Sequence, residues 1–398
     1  MDAYWSDWLN LLLRWLHVVA AIAWIGESFY FVMLDNGLQP PPDERSQRRG
    51  VFGEMWSVHG GGFYHAQKYL VAPPELPQSL HWSFWKSYTT WLSGFALFTA
   101  LYLLKPDTYL VDKNVFAMSP GTAVAAALGF LVAGWLVYDG LCRWLGKDDR
   151  ILGVAVFGWV VAATYAATHL FAGRAAYLIV GAMLATKMSA NVFFWIIPGQ
   201  RKSVAAMQRG EVPDPIWGKR GKQRSVHNTY FTLPVVFAMI SNHYPMTYNH
   251  PDSWLLLVLV MVAGAVIRHF FVAMHAGRWM WGLPPVAVGL LIAVMVLARP
   301  PKSELDDDQL AHLPVATYSQ VRTVLTQRCT TCHAAQPTGY GYTAPPAGLD
   351  LDQEAVVRAN VQRLRTALKT RYMPLGNLTK MTEDERKLVL RWLAAGAP

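Results

Sequence analysis

The chain has 398 residues, 53% of them hydrophobic and 15% charged, with 17 tryptophans and a net charge of +9. This is too apolar for an ordinary soluble domain of that length and places the chain among membrane proteins. The basic excess is spread over connections between apolar runs and forms no continuous face, which excludes a nucleic-acid partner. The chain has three cysteines, two of them in one short motif, so no disulfide framework is implied.

A helix needs about 20 apolar residues to cross the hydrocarbon core, and about eight runs approach that length. They lie at Leu11–Leu34, Lys86–Leu104, Gly121–Leu141, Ile151–Phe171, Arg174–Ile197, Thr229–Asn242, Ser253–His275 and Trp281–Ala298. Asp2 and Asp7 precede the first run, where a secretory signal would be positive, so the first helix is expected to be retained. The sixth run is short, and Pro234 is expected to interrupt it.

Ionisable groups inside these runs cost about 2.5–3.5 kcal/mol each at the bilayer centre, so they mark function by default. His17 and Glu27 lie on the first run, Asp139 on the third, His169 on the fourth, Lys187 and Asn191 on the fifth. His243 ends the sixth, and Arg268 and His269 lie on the seventh. Glu27, Lys187, Arg268 and His269 fall toward the middle or inner side and are the candidate catalytic set for an anionic substrate; Lys187 and Glu27 could equally be a structural ion pair. His17, His169 and His243 fall toward the outer side. These histidines are either ligands of a buried haem b, with His17 and His169 as the expected pair, or hydrogen-bonded members of the bundle.

The connection from Asp35 to Trp85 carries Glu54, His59, Gly60-Gly61-Gly62, Tyr64, His65, Gln67 and Lys68. Its glycines allow either close backbone approach to a ligand or a turn. The segment Gln200–His227 is read as a strongly basic loop, whereas Asn242–Asp252 has no Lys or Arg. Basic loops stay in the cytoplasm, so both termini are expected outside it.

Residues 300–316 read as a linker, opened by Pro300-Pro301 and followed by the acidic run Asp306–Asp308. The tail then reads as helix, loop, helix, loop, helix, with capping boxes at Thr317/Gln320 and Thr382/Glu385. Its centre is Cys329-Thr-Thr-Cys332-His333, the spacing of a c-type haem attachment site. Two thiols one turn apart can form thioethers with the haem vinyl groups, and the adjacent imidazole meets the iron. Half a zinc site and a redox dithiol are the alternatives; zinc wants four ligands, and redox dithiols sit in a βαβ setting that this sequence lacks. Met373, in Tyr372-Met373-Pro374-Leu375-Gly376-Asn377, is the candidate second axial ligand, while Met381 is expected to pack. Covalent haem belongs outside the bacterial cytoplasm, which agrees with the loop charges. The expected fold is therefore all-α: a polytopic membrane bundle over residues 1–299, the linker, and a c-type cytochrome domain over 317–398.

Trp15-Leu16-His17 with Ala23-Trp24-Ile25-Gly26-Glu27, Gly60–Tyr64, Asn228–Pro234, Ile240–Pro245 and Cys329–His333 together resemble the membrane-bound, cytochrome-c-linked urate oxidases of bacteria. The resemblance covers nearly the whole chain. It implies oxidation of urate to 5-hydroxyisourate in purine breakdown, in the bacterial inner membrane. Electrons would leave through an extracytoplasmic c-type haem toward a respiratory-chain acceptor rather than directly to oxygen. It implies thioether roles for Cys329 and Cys332 and axial roles for His333 and Met373, and assigns no substrate site. A membrane redox relay fed by quinol, and a purine transporter or sensor gated by the tail, remain open beside it; the interrupted sixth run is the best support for transport.

Overall fold

The structure is a computed structural model and describes residues 3–113, 115–299, 310–338, 344–374, 377 and 379–398. The first part of the linker with its acidic run, and Leu375 and Gly376 of the expected ligand loop, lie outside these residues.

Helices form wherever the apolar runs predicted them. The long ones are α1 (Ala3–Gly37), α3 (Trp85–Phe98, prolonged by a π segment Thr99–Leu103), α5 (Pro120–Leu145), α6 (Asp149–Leu170), α7 (Gly173–Asn191), α8 (Ile197–Gln208), α9 (Pro215–Ile240), α11 (Ser253–His275) and α12 (Leu283–Leu297). A second π segment, Val192–Ile196, joins α7 to α8. Short helices α2 (Glu44–Arg48), α4 (Pro106–Tyr109) and α10 (Pro245–Tyr248) punctuate the connections. Among the described residues, five helices are long and apolar enough to cross a membrane: Asp7–Gly37, Pro120–Leu145, Asp149–Leu170, Gly173–Gln208 and Ser253–His275. Leu283–Leu297 is a shorter apolar helix.

The bundle is built around α7. The span it opens, Gly173–Gln208, is the most enclosed of the five, with 56% of its apolar window buried, whereas α1 buries 6% of its window. With no water to drive apolar association inside lipid, close approach depends on small residues. Gly181 shows this: a Cβ there would lie 2.7 Å from that of Ala238 on α9.

Two expectations need correction. Pro234 does not interrupt the sixth run, because α9 passes through it and Gly264 of α11 leaves room for the ring. The basic segment Gln200–His227 is mostly helix. Asp214 caps α9 by accepting a hydrogen bond from Ile216 N, Pro215 occupies the first turn, and the helix begins well before its apolar part.

The connection after α1 folds into a hairpin of β1 (Gly53–His59) and β2 (Gly62–Lys68). Gly60 and Gly61 have φ of 58° and 82°, as a two-residue hairpin turn demands, so the glycine run makes a turn. His59 and Tyr64 are exposed.

The tail forms α13 (Tyr318–Arg328), α14 (Thr330–His333), α15 (Glu354–Ala359), α16 (Val361–Lys369) and α17 (Glu383–Ala394). Both expected capping boxes form. Trp392, Leu390, Val321 and Met381 lie in the tail's own apolar core. Tyr372 leaves that core and packs against the core of the bundle.

Candidate functional site

The tail encloses a cavity of about 590 Å³, within the range of roughly 300–1,000 Å³ usual for cofactor sites. Its apolar wall includes Val321, Leu325, Leu351, Leu364 and Leu368, and Cys329, Cys332, His333 and Met373 all line it. The end of α13 and the single turn of α14 place the two thiols and the imidazole on one side. His333 Nδ1 lies 3.2 Å from the carbonyl oxygen of Leu349. A carbonyl only accepts, so Nδ1 carries the hydrogen and Nε2 keeps its lone pair for a metal. The chain arriving at Met373 is held by Arg386, whose Nη1 donates to the carbonyls of Leu368 at 2.9 Å and Met373 at 2.8 Å. Met381, by contrast, is packed in the core.

This donor set suits a tethered porphyrin better than its rivals. Among the described residues no group of three or more His, Cys, Asp and Glu is placed to hold a metal ion, so a closed zinc site is not offered. Burial pushes the Cys329 thiol up to about 12 and raises that of Cys332, opposite to the lowered pKa of a reactive dithiol. The cavity also touches Thr108 of the bundle.

The four candidate catalytic groups of the bundle do not meet. Glu27 pairs with Lys86 at 2.9 Å and bonds Ser83, so the suggested Glu27–Lys187 pair is not formed. Lys187 is fully buried, its Nζ making no hydrogen bond but lying 4.5 Å and 3.8 Å from the ring centres of Tyr138 and Phe231. Next to it runs a polar network that sequence reading saw only in part. Arg224 pairs with Asp139 at 2.7 Å and donates to Asn191 Oδ1; Asn191 donates to Asn228 Oδ1 and to Tyr138 Oη. Arg268 lies over Phe29 at 4.1 Å with Nε and Nη2 unbonded, and His269 meets Tyr230 Oη at 2.8 Å. In the hairpin, His65 stacks on Trp56 and contacts Glu54 at 3.0 Å.

A second cavity, about 440 Å³, lies inside the bundle between α1, α3, α7 and the end of α9. Its lining includes His17, His243, Arg14, Arg174, Trp91 and Tyr102. His169 is not part of it. That imidazole bonds the Tyr165 carbonyl at 2.7 Å, stacks on the Tyr165 ring and lines a separate cleft between the bundle and the tail, so His17 and His169 do not face one space. Arg174 was missed because it opens its apolar run and reads as a flanking charge, and Arg14 was missed although it lies inside the first run. Arg14 precedes His17 by less than one turn, which was the available signal.

Residues 3–299 match the family described as urate oxidase, N-terminal. No curated protein and no solved structure matches the chain.

Proposed function

The chain belongs to the urate oxidase N-terminal family, and from that premise we propose that it oxidises urate to 5-hydroxyisourate in the membrane and passes the electrons to a c-type haem in its own tail. The family match over residues 3–299 carries this reading. The electron route rests on the tail cavity, where four side chains of the right chemistry converge.

The balance is simple. Urate and water give 5-hydroxyisourate, two protons and two electrons. Cys329 and Cys332 would hold such a haem through thioether links, and His333 and Met373 would offer Nε2 and Sδ to its iron. When bound, such a haem accepts one electron at a time, and Met/His ligation favours the reduced state. The chain's own residues do the rest. Arg386 fixes the carbonyl of Met373, and Leu349 fixes the imidazole of His333. Tyr372, beside Met373, reaches the bundle near Arg174 and Tyr248. Loop charge supports both termini, and hence the tail, outside the cytoplasm, with a respiratory one-electron carrier as final acceptor.

The test is anaerobic. Urate added to the purified protein should reduce the covalent haem in the absence of oxygen. If dithionite bleaches the ferric spectrum and urate leaves it untouched, the reading fails. Among the alternatives, the transporter loses its best support, since α9 runs unbroken through Pro234.

A further inference from the structure

The cavity inside the bundle has a shape and a donor pattern of its own. His17 is committed through one nitrogen: Nδ1 lies 3.0 Å from the Thr90 carbonyl and 3.1 Å from Ser93 Oγ. The carbonyl requires Nδ1 to carry the hydrogen, so Nε2 holds a free lone pair. The ring also has a purpose-made slot, for a Cβ on Gly94 would come within 2.7 Å of His17 Cε1. An imidazole held by its Nδ1–H against a backbone carbonyl is the usual arrangement behind a metal-ligating Nε2.

The rest of the lining asks for a ligand. Asn242 Oδ1 and Arg174 Nε are buried without a hydrogen-bond partner, and Tyr102 Oη, on a residue 3% exposed, has only the Arg174 guanidinium beside it. Orphaned buried polar atoms of this kind cost about 1–3 kcal/mol each, so two of them around one cavity point to a missing partner. Arg174 stands among aromatic walls that include Trp91, Phe95 and Tyr109, and Arg14, exposed at the cavity's edge with its Nε on Asn10, adds a second guanidinium. The matching ligand is flat and largely apolar, carries carboxylates and has a centre that takes an imidazole. At about 440 Å³ the space is comparable with the 590 Å³ of the tail.

We propose that this cavity holds a second haem, bound without covalent links, with His17 Nε2 on its iron and Arg14 and Arg174 on its propionates. His243, exposed at the cavity's edge, lines the same space and offers a second imidazole. The position suits electron transfer to the tail. Tyr109 and Arg174 line both this cavity and the cleft between the bundle and the tail, and Tyr372, next to Met373, lines that cleft and the tail cavity. Two one-electron centres also match a two-electron donor. One urate with one water yields two protons and two electrons, two ferric irons become ferrous, and two molecules of an external ferric haem carrier restore them. The site itself does not depend on urate being the donor.

The experiment uses full-length protein purified in detergent from membranes that mature covalent haem. Acidified acetone separates extractable from covalent haem, and each fraction is counted as its pyridine complex. The expected result is one extractable protohaem for each covalent haem. His17→Ala should lower the extractable fraction at least about tenfold, as loss of a ligand or its support does, and leave the covalent fraction unchanged. The inference is overturned by covalent haem without extractable haem in the wild type, by a quinone or purine as the only extractable ligand, or by full extractable haem in His17→Ala. Should His17→Ala fail to accumulate, the wild-type ratio decides and His17→Met reports through its altered spectrum. Reduction of the covalent haem by urate in a preparation with no extractable haem would sink this inference and leave the proposed function standing.

Discussion

Single residues hold the tail's site in place. Met373 makes the sharpest prediction: on the proposed ligation, Met373→Ala should lower the midpoint potential of the covalent haem by on the order of 0.1 V, a fraction of the roughly 0.8 V that axial ligands span. A redox titration would show it, and an unchanged potential would remove Met373 from the iron. Arg328 and Glu385 make a bidentate pair at 2.9–3.1 Å that ties α13 to α17. Arg328 holds the Glu385 carboxyl below its ordinary 4.5. A carboxyl so depressed contributes stability that is complete above the unfolded value and is lost as pH falls through the folded one. Thermal unfolding of the tail, followed through haem absorbance, should therefore move to lower temperature as pH drops below about 4.5. Arg328→Gln should flatten that dependence. That Cys329, Cys332 and His333 line one cavity was legible in the sequence because they fall within five consecutive residues. The histidine that shares a cavity with His17 was not. Which one it is depends on helix rotation, and α6 turns His169 onto Tyr165 while the single turn Ser241–His243 after α9 brings His243 in.

Elements followed the sequence where hydrophobic length decided them. Every apolar run became helix, and both capping boxes closed. Sequence failed where local propensity and tertiary packing disagree. A proline in an apolar run reads as a break, yet Pro234 is accommodated by a glycine on a helix far away in sequence. The basic segment read as loop because charge was taken for solvent, though Lys and Arg are good helix formers. The closeness of α7 and α9 gives a measurable consequence. Gly181→Val should overpack against Ala238 and cost about 1–3 kcal/mol, seen as a lower unfolding temperature in detergent. In the tail, Thr382→Ala should remove one half of a capping box and cost about 1 kcal/mol, with the haem spectrum unchanged.

At the scale of the molecule, one chain joins an apolar bundle to a tail with a separate core. The bundle's cavities, and the joining of Asp139 and Asn191 to Arg224 and Asn228 in one buried network, could not be read from sequence. They arise where three or more helices meet, and no single stretch encodes such a junction. The proposed orientation has a direct test: protease added to intact spheroplasts should release the tail, cutting near residues 310–316. A tail protected until the membrane is opened would place it on the other side.

Tyr372 is the tail's foothold on the bundle. On the proposed route its two neighbouring compartments are permanently moored to each other, so the first hop needs no encounter between diffusing molecules. Diluting the enzyme a thousandfold would leave that hop as fast as before, and only delivery to the outside carrier would slow.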